Sequence, residues 1–255
     1  MLSIITPTLN AESYIESNIL EIKKLNISYE HIIVDGGSQD DTLNIISKHK
    51  EIIVIHQNDC GGMYSAIQQG IESSKGGVIA YINCDDLIIP DEFESLYHYI
   101  KKNECDLAYS NSYLRSQKTK KIKKKYARIF GKLLLSKGFM PFTQPSCIFT
   151  RDIFNAVGGF DHKKYKLMGD RDFFQRVALY NNSSIRFFPV FSTIFLIRED
   201  SLGSANIDQY LLEKKTSIQT SVYPLFYLLF KIFGVASYIF CKVSEKTSNK
   251  VVNNK

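Results

Sequence analysis

Ile32-Ile33-Val34-Asp35-Gly36-Gly37-Ser38-Gln39-Asp40 and, about fifty residues later, Ile79-Ala80-Tyr81-Ile82-Asn83-Cys84-Asp85-Asp86 decide how this chain reads. Each is an apolar run of β type that ends in carboxylates. Strand ends are where an open α/β sheet holds its ligand. Carboxylates there can grip a ribose, a base edge, or a hard metal ion bound to phosphate oxygens.

Outward from these two runs the chain alternates strand and helix, the rhythm of a parallel sheet. A strand is predicted over 2–6, stopped by Pro7, and Asn10 is placed to cap a helix from about 11 to 25. Further strands are predicted over 31–34, 52–55, 78–82 and 106–110. Between them fall a helix capped by Asp40 or Asp41, one over 63–73, and one from Pro90 with Phe93, Leu96, Tyr97 and Ile100 inward. A basic segment then interrupts the rhythm. Order returns over 145–150, in a short helix ending at Gly158-Gly159, in a helix from about 170 to 180, and in one or two strands over 187–197.

Composition narrows the class. The 255 residues are 44% hydrophobic, enough for a full core. Five scattered cysteines (Cys60, Cys84, Cys105, Cys147, Cys241) show no CxxC spacing, which argues for reduced thiols and against zinc. The start, Met1-Leu2-Ser3-Ile4-Ile5-Thr6-Pro7, lacks the basic and apolar regions of a signal peptide, so a cytosolic N-terminus is expected.

Residues 107–151 hold eleven Lys or Arg and no Asp or Glu; removing those eleven charges turns the formal +6 into −5. Eight of the eleven lie in an insert at 115–128, with Ile122 and Tyr126 interleaved. A solvated loop and contact with an anionic membrane or lipid-diphosphate both suit it. No nucleic-acid-binding signature accompanies it. The stretch 222–240 is apolar except for Lys231, close to the ~20 residues that span a bilayer. Its aromatic residues suit an interfacial helix, a buried or homodimer-forming helix is the second option, and a central Lys disfavours a spanning one.

The two acidic runs resemble the nucleotide-sugar site of family 2 glycosyltransferases with the GT-A fold. The resemblance implies that Asp35 contacts the nucleotide base and that Pro7 and Thr8 form another wall of its pocket. A β-turn followed by a helix cap would use the same residues. The second run looks like the family's Asp-x-Asp metal motif with Asn83 in its first position. Asp85 and Asp86, with Asn83 as a neutral third, are then the implied ligands of Mg or Mn, and Asp85 also contacts the donor. A helix-capping pair is the structural alternative.

Asp59-Cys60-Gly61-Gly62-Met63-Tyr64-Ser65-Ala66 resembles the segment that lines the sugar-diphosphate pocket, which implicates Gly61, Gly62 and Tyr64. Here the Asp-to-Tyr spacing is one residue wider than usual, and Ser65 stands where Asp is frequent. Gly158-Gly159-Phe160-Asp161 followed by Gly169-Asp170-Arg171-Asp172 resembles the acceptor-side unit. That implies Asp170 as the general base, Asp172 in reserve, and Gln144 and Arg176 towards the acceptor. Arg176 is equally spaced to pair with Asp172 along a helix.

The resemblance runs from about residue 1 to 200. The expectation is a mostly parallel GT-A sheet over 1–205 and a helical, membrane-associated tail over 206–255. The implied activity is inverting sugar transfer from a nucleoside diphosphate donor, a UDP-sugar first, to a lipid-linked glycan in O-antigen, capsule or exopolysaccharide synthesis, on the cytoplasmic face of the membrane. A nucleotidyltransferase would need a Gly-rich phosphate loop after the first strand, where Pro7-Thr8-Leu9-Asn10 stands. A non-catalytic assembly protein of the same fold is the other rival, favoured by Asn83, Gly169 and Thr143.

Overall fold

The computed structural model describes residues 1–59, 61–199, 206–216 and 231–242. Strands β1 (Leu2–Thr8), β2 (Tyr29–Asp35), β3 (Ile53–His56) and β4 (Val78–Tyr81) form a parallel half-sheet in the order β3-β2-β1-β4. Every residue of β1 is buried, as a central parallel strand covered on both faces requires. The order reverses between β1 and β4, which opens a crevice at their carboxyl ends.

Five more strands complete one mixed sheet: β5 (Leu87–Ile88), β6 (Leu107–Ser116), β7 (Ile122–Lys125), β8 (Cys147–Thr150) and β9 (Ile185–Ile197). β8 joins β4 and β6 antiparallel, whereas β6 and β9 run parallel across a bulge between Tyr109 and Ser112. Helices α1 (Ile15–Ile22), α2 (Thr42–Ile46), α3 (Met63–Ser73), α4 (Pro90–Lys102), α5 (Gly131–Ser136), α6 (Arg151–Ala156), α7 (Gly169–Leu179) and α8 (Ile207–Thr216) surround it. One core cluster joins α3, α6 and α7 to the sheet through Ile67, Ile153 and Phe173. A second joins α4 and α1 through Phe93, Leu96 and Ile22.

Three expectations need correction. Pro7 does not stop the first strand, which runs on to Thr8 with Pro7 paired to Val34. Asn10 does not cap α1, which begins only at Ile15. Its backbone has φ 49°, its N–H donates to Ser38 Oγ (2.9 Å), and its Oδ1 accepts the Gln39 N–H (2.8 Å). Asn10 therefore ties two strand-end loops together. The basic segment does not interrupt the sheet: β7 pairs antiparallel with the far end of β6, from Ser112↔Lys125 to Arg115↔Ile122, so the insert is a hairpin. Residues 185–197 form one long strand. The two-residue β5, too short to leave a periodic trace, was not anticipated.

The described cysteines Cys84, Cys105, Cys147 and Cys241 are free. Residues 222–230 of the apolar stretch lie outside the described residues. Residues 231–242 are helical and pack on the body through Phe233 against Phe130 (5.0 Å between ring centroids) and Tyr238 against Tyr126 (5.2 Å). Ser237 Oγ accepts the Ile129 N–H at 2.8 Å. No helix among the described residues is long and apolar enough to cross a membrane.

Candidate active site

Several of the residues singled out in the sequence lie at or just beyond the carboxyl ends of β1, β2 and β4. Asp35 ends β2 beside Thr8, the last residue of β1, and the Gly36 N–H donates to Thr8 O (2.8 Å). The Asp35 carboxylate is buried and turns back on its own loop, accepting the N–H groups of Gly37 (2.9 Å) and Ser38 (3.1 Å). Asp35 thus organises the turn that follows β2, beside Pro7 and Thr8 at the end of β1.

On the other side of the crevice Asp85 and Asp86 part company. Asp86 is 1% exposed, and its Oδ1 accepts the Leu196 N–H of β9 (3.0 Å) while its Oδ2 is buried without a hydrogen-bond partner. Burial first, then the neighbouring Asp85 charge, pushes the Asp86 carboxyl well above the usual carboxylate range. Asp85 is more open, and its Oδ2 lies 3.2 Å from Arg198 Nε. The Arg198 guanidinium in turn lies over the Tyr14 ring, 5.0 Å from its centroid. Asn83 Oδ1 is buried.

Sequence reasoning missed both Arg198 and Asn18. The Asn18 amide reaches from α1 to the carbonyls of Asn83 (3.1 Å) and Asp86 (2.9 Å), fixing the loop that presents Asp85. A polar residue on the apolar face formed by Ile15, Ile19 and Ile22 was the available signal.

The loop into α3 is braced by Asp59. Its Oδ1 accepts from the Gly61 N–H (3.0 Å) and from Ser65 Oγ (2.7 Å), and the Ser65 bond chiefly holds the carboxyl below its ordinary value. Ser65, standing where relatives often carry Asp, thus serves the loop itself. Gly62 has φ +83°, a conformation that other residues rarely adopt.

From the first turn of α3 the Tyr64 hydroxyl crosses to α7 and donates to Asp170 Oδ1 at 3.0 Å. The Arg171 N–H donates to the same oxygen (2.7 Å). Burial raises the Asp170 pKa, and the bonds from Tyr64 and Arg171 oppose the shift without cancelling it. A raised pKa makes the ionised carboxylate a better proton acceptor.

Asp172, by contrast, is engaged. Arg176 grips it through Nε (2.9 Å) and Nη2 (2.7 Å), and also donates to the carbonyls of Gly159 (2.6 Å) and Val157. The helical pairing anticipated for Arg176 is the arrangement found, with the Gly158–Gly159 turn as a third partner. Gln144 Nε2 donates to the Tyr81 carbonyl at the end of β4 (2.7 Å), and its Oε1 is buried without a partner.

No three His, Cys, Asp or Glu converge among the described residues in a way that could hold a metal ion. Asp85, whose side chain is 16% exposed and pairs with Arg198, is the group that would share a cation with the phosphates of a bound nucleotide, which is how Mg is usually held. An all-protein cage does not fit.

The sheet order, with its reversal between β1 and β4, is that of an α/β sheet of the GT-A type. The chain belongs to glycosyl transferase family 2, whose family model matches residues 3–166. It is 27% identical over 194 residues to a PGL/p-HBAD biosynthesis glycosyltransferase of Mycobacterium tuberculosis, covering 72% of each chain. It is 31% identical over 118 residues to an uncharacterized glycosyltransferase of Haemophilus influenzae, a match that spans 44% of this chain and only 46% of that protein. The fold is also that of S. aureus TarS 1-349 in complex with UDP-GlcNAc, with TM-score 0.66 at 18% identity over 87% of this chain and 68% of that one.

Proposed function

We propose that the protein is an inverting glycosyltransferase that moves a sugar from a nucleoside diphosphate donor, a UDP-sugar first, to a glycan acceptor. The observation that carries this reading is the 3.0 Å bond from Tyr64, on the donor-loop helix, to Asp170 on α7. It brings the segment that would line the sugar-diphosphate pocket to the group that would take the acceptor proton. TarS, a neighbour in fold, binds UDP-GlcNAc, which supports the choice of donor class.

Pro7, Thr8 and the turn built by Asp35 would flank the base and ribose. Asp85 would face the diphosphate, and a Mg or Mn ion held there with the phosphate oxygens would stabilise charge on the departing nucleotide. Asp170, kept partly desolvated, would accept the acceptor hydroxyl's proton as that oxygen attacks the anomeric carbon from the face opposite the leaving group. Burial argues against Asp86 as a ligand, and its Leu196 bond supports a framework role.

The acceptor we propose is lipid-linked and met at an anionic membrane surface, as in assembly of surface polysaccharide. Its support is the β6–β7 hairpin with Lys120, Lys121 and Lys123, together with helix 231–242, which packs on Tyr126 just after β7 and in which Ile232, Val235, Ile239 and Phe240 are each at least half exposed. Flotation with vesicles containing anionic lipid tests it. Vesicle-independent dimerisation through the helix would displace it.

Calorimetric titration with UDP, GDP and CMP, with and without Mn, tests the core reading. Mn-dependent UDP binding is expected. GDP binding in its place would change the donor class, and no binding to any nucleotide by folded protein would favour the non-catalytic reading.

A further inference from the structure

The base stands at the head of α7, on a short segment that has no regular structure of its own before Gly169. What holds it comes from beyond the expected domain boundary. Glu213, on α8, is 6% exposed. Its Oε2 accepts the N–H groups of Leu167 (2.9 Å) and Met168 (3.0 Å), and its Oε1 accepts the Lys166 N–H (3.0 Å) and Gln209 Nε2 (3.0 Å). Three successive backbone donors ahead of a helix form a nest suited to an anion, reinforced by the helix dipole. Glu213 fills that nest.

The same segment is tied to the donor loop. Lys166 Nζ donates to Gly61 O (2.7 Å), and Tyr64 Oη reaches both Leu167 O (3.4 Å) and Asp170. Gly169 lies against the Tyr64 ring so closely that a Cβ would clash. Gly169 is thus what lets Tyr64 approach Asp170.

We infer that Glu213 is a positioning residue for the transfer reaction: from the C-terminal helix it clamps residues 166–168 and thereby sets where Asp170 stands. The inference rests on the reading of Asp170 as the base. Glu213 touches no reacting atom; it acts through three main-chain bonds on a group whose placement matters to within about 1 Å. On this view α8 is part of the catalytic unit, and the boundary at 205 cuts through the site.

The test uses the full chain with Glu213→Ala and Glu213→Gln. Hydrogen exchange at the amides of 166–168 reads the clamp without any activity: exchange should accelerate in Glu213→Ala and less in Glu213→Gln, which keeps an acceptor oxygen. Turnover reads its purpose: kcat should fall about 10- to 100-fold in Glu213→Ala with the donor KM within about threefold. Formate, a carboxylate small enough for the vacated nest, should restore part of that loss.

A folded Glu213→Ala protein with unchanged exchange at 166–168, or with unchanged kcat, would overturn the inference. If that variant does not fold, Glu213→Gln decides on the same two readouts. An Asp170→Asn protein that kept wild-type turnover would instead remove the base assignment, whatever the exchange result.

Discussion

The two sides of the crevice fix their carboxylates in opposite ways. On the parallel side, Asp35 is held by N–H groups two and three residues further along its own turn. Asp85 lies in the short loop after β4, which Asn18 ties to α1, and its Oδ2 faces Arg198. On the mixed side, Asp170 depends on Tyr64, 106 residues earlier, and its segment depends on Glu213, some 45 residues later. On the proposed reading, a donor pocket made of strand ends would inherit its geometry from the sheet ladder. An acceptor base at a helix head has no ladder beneath it and must be braced by side chains from elsewhere. The first arrangement should resist single substitutions, and the second should be sensitive to them.

The largest expected effect lies on the braced side. Asp170→Asn should lower kcat by about 10²–10⁴-fold, the usual contribution of a general base, while donor affinity stays within twofold. A comparable loss of donor binding would mean that Asp170 does not act on the acceptor side alone. Its pH dependence follows from burial. Only the ionised carboxylate accepts a proton, and burial raises its pKa, so the wild-type rate should begin to fall at a higher pH than an ordinary aspartate would give.

Next in size is Asp85→Asn, which should weaken nucleotide-donor binding roughly 10- to 100-fold, corresponding to about 1.5–3 kcal/mol for an interaction with a charged group. Asp86→Asn, one position on, supplies the contrast. It keeps an oxygen for the Leu196 N–H, so donor affinity should stay within about twofold. Calorimetry on the pair separates them. Equal losses would return Asp86 to the ligand set.

How much of this was legible follows the same division. The helix predicted over 63–73 is α3, and the inner face of α4 is the expected Phe93, Leu96, Tyr97 and Ile100, because apolar periodicity and end signals are local. Asp85 and Asp170 were named from motif spacing. The burial of Asp86 and its bond to a backbone amide of β9, 110 residues away, were not readable. Glu213 was not readable either: nothing near it in the chain marks a nest formed at 166–168. Asn10 misled because a residue type suited to capping also tolerates positive φ and can bridge two loops. The basic insert misled because its charge outweighed its strand character.

A smaller effect should come from Tyr64→Phe. The hydroxyl lies 3.0 Å from Asp170 and opposes the rise in its pKa, so its removal should move the acid limb of the rate profile upward. We expect a loss of about 3- to 10-fold at neutral pH, the range set by a hydrogen bond of about 0.5–1.5 kcal/mol. The pH profile of Tyr64→Phe beside that of wild type measures it. An unmoved limb would show that the bond to Asp170 does not persist in the working enzyme.

The smallest effect on turnover tests the self-supporting side. His31 lies within β2, 4% exposed, with Nε2 2.9 Å from Thr6 Oγ1 on β1, and burial pushes its pKa down to about 3. The unfolded chain takes up that proton near pH 6.5, whereas the folded one does not until about 3. The stabilisation is therefore full above about pH 6.5 and is lost as pH falls from there towards 3; at pH 5 the loss is about 2 kcal/mol. His31→Gln can keep a bond to Thr6 and cannot charge. It should show a smaller drop in urea midpoint between pH 7.5 and 5 than wild type, with donor affinity at pH 7.5 unchanged. Acid inactivation would then separate into two processes: reversible loss of rate at Asp170 on the braced side, and loss of stability at His31 in the sheet. If His31→Gln loses stability with acid as steeply as wild type, the sheet side titrates elsewhere. If it loses donor binding at pH 7.5, the crevice is less independent of its supporting residues than its ladder implies.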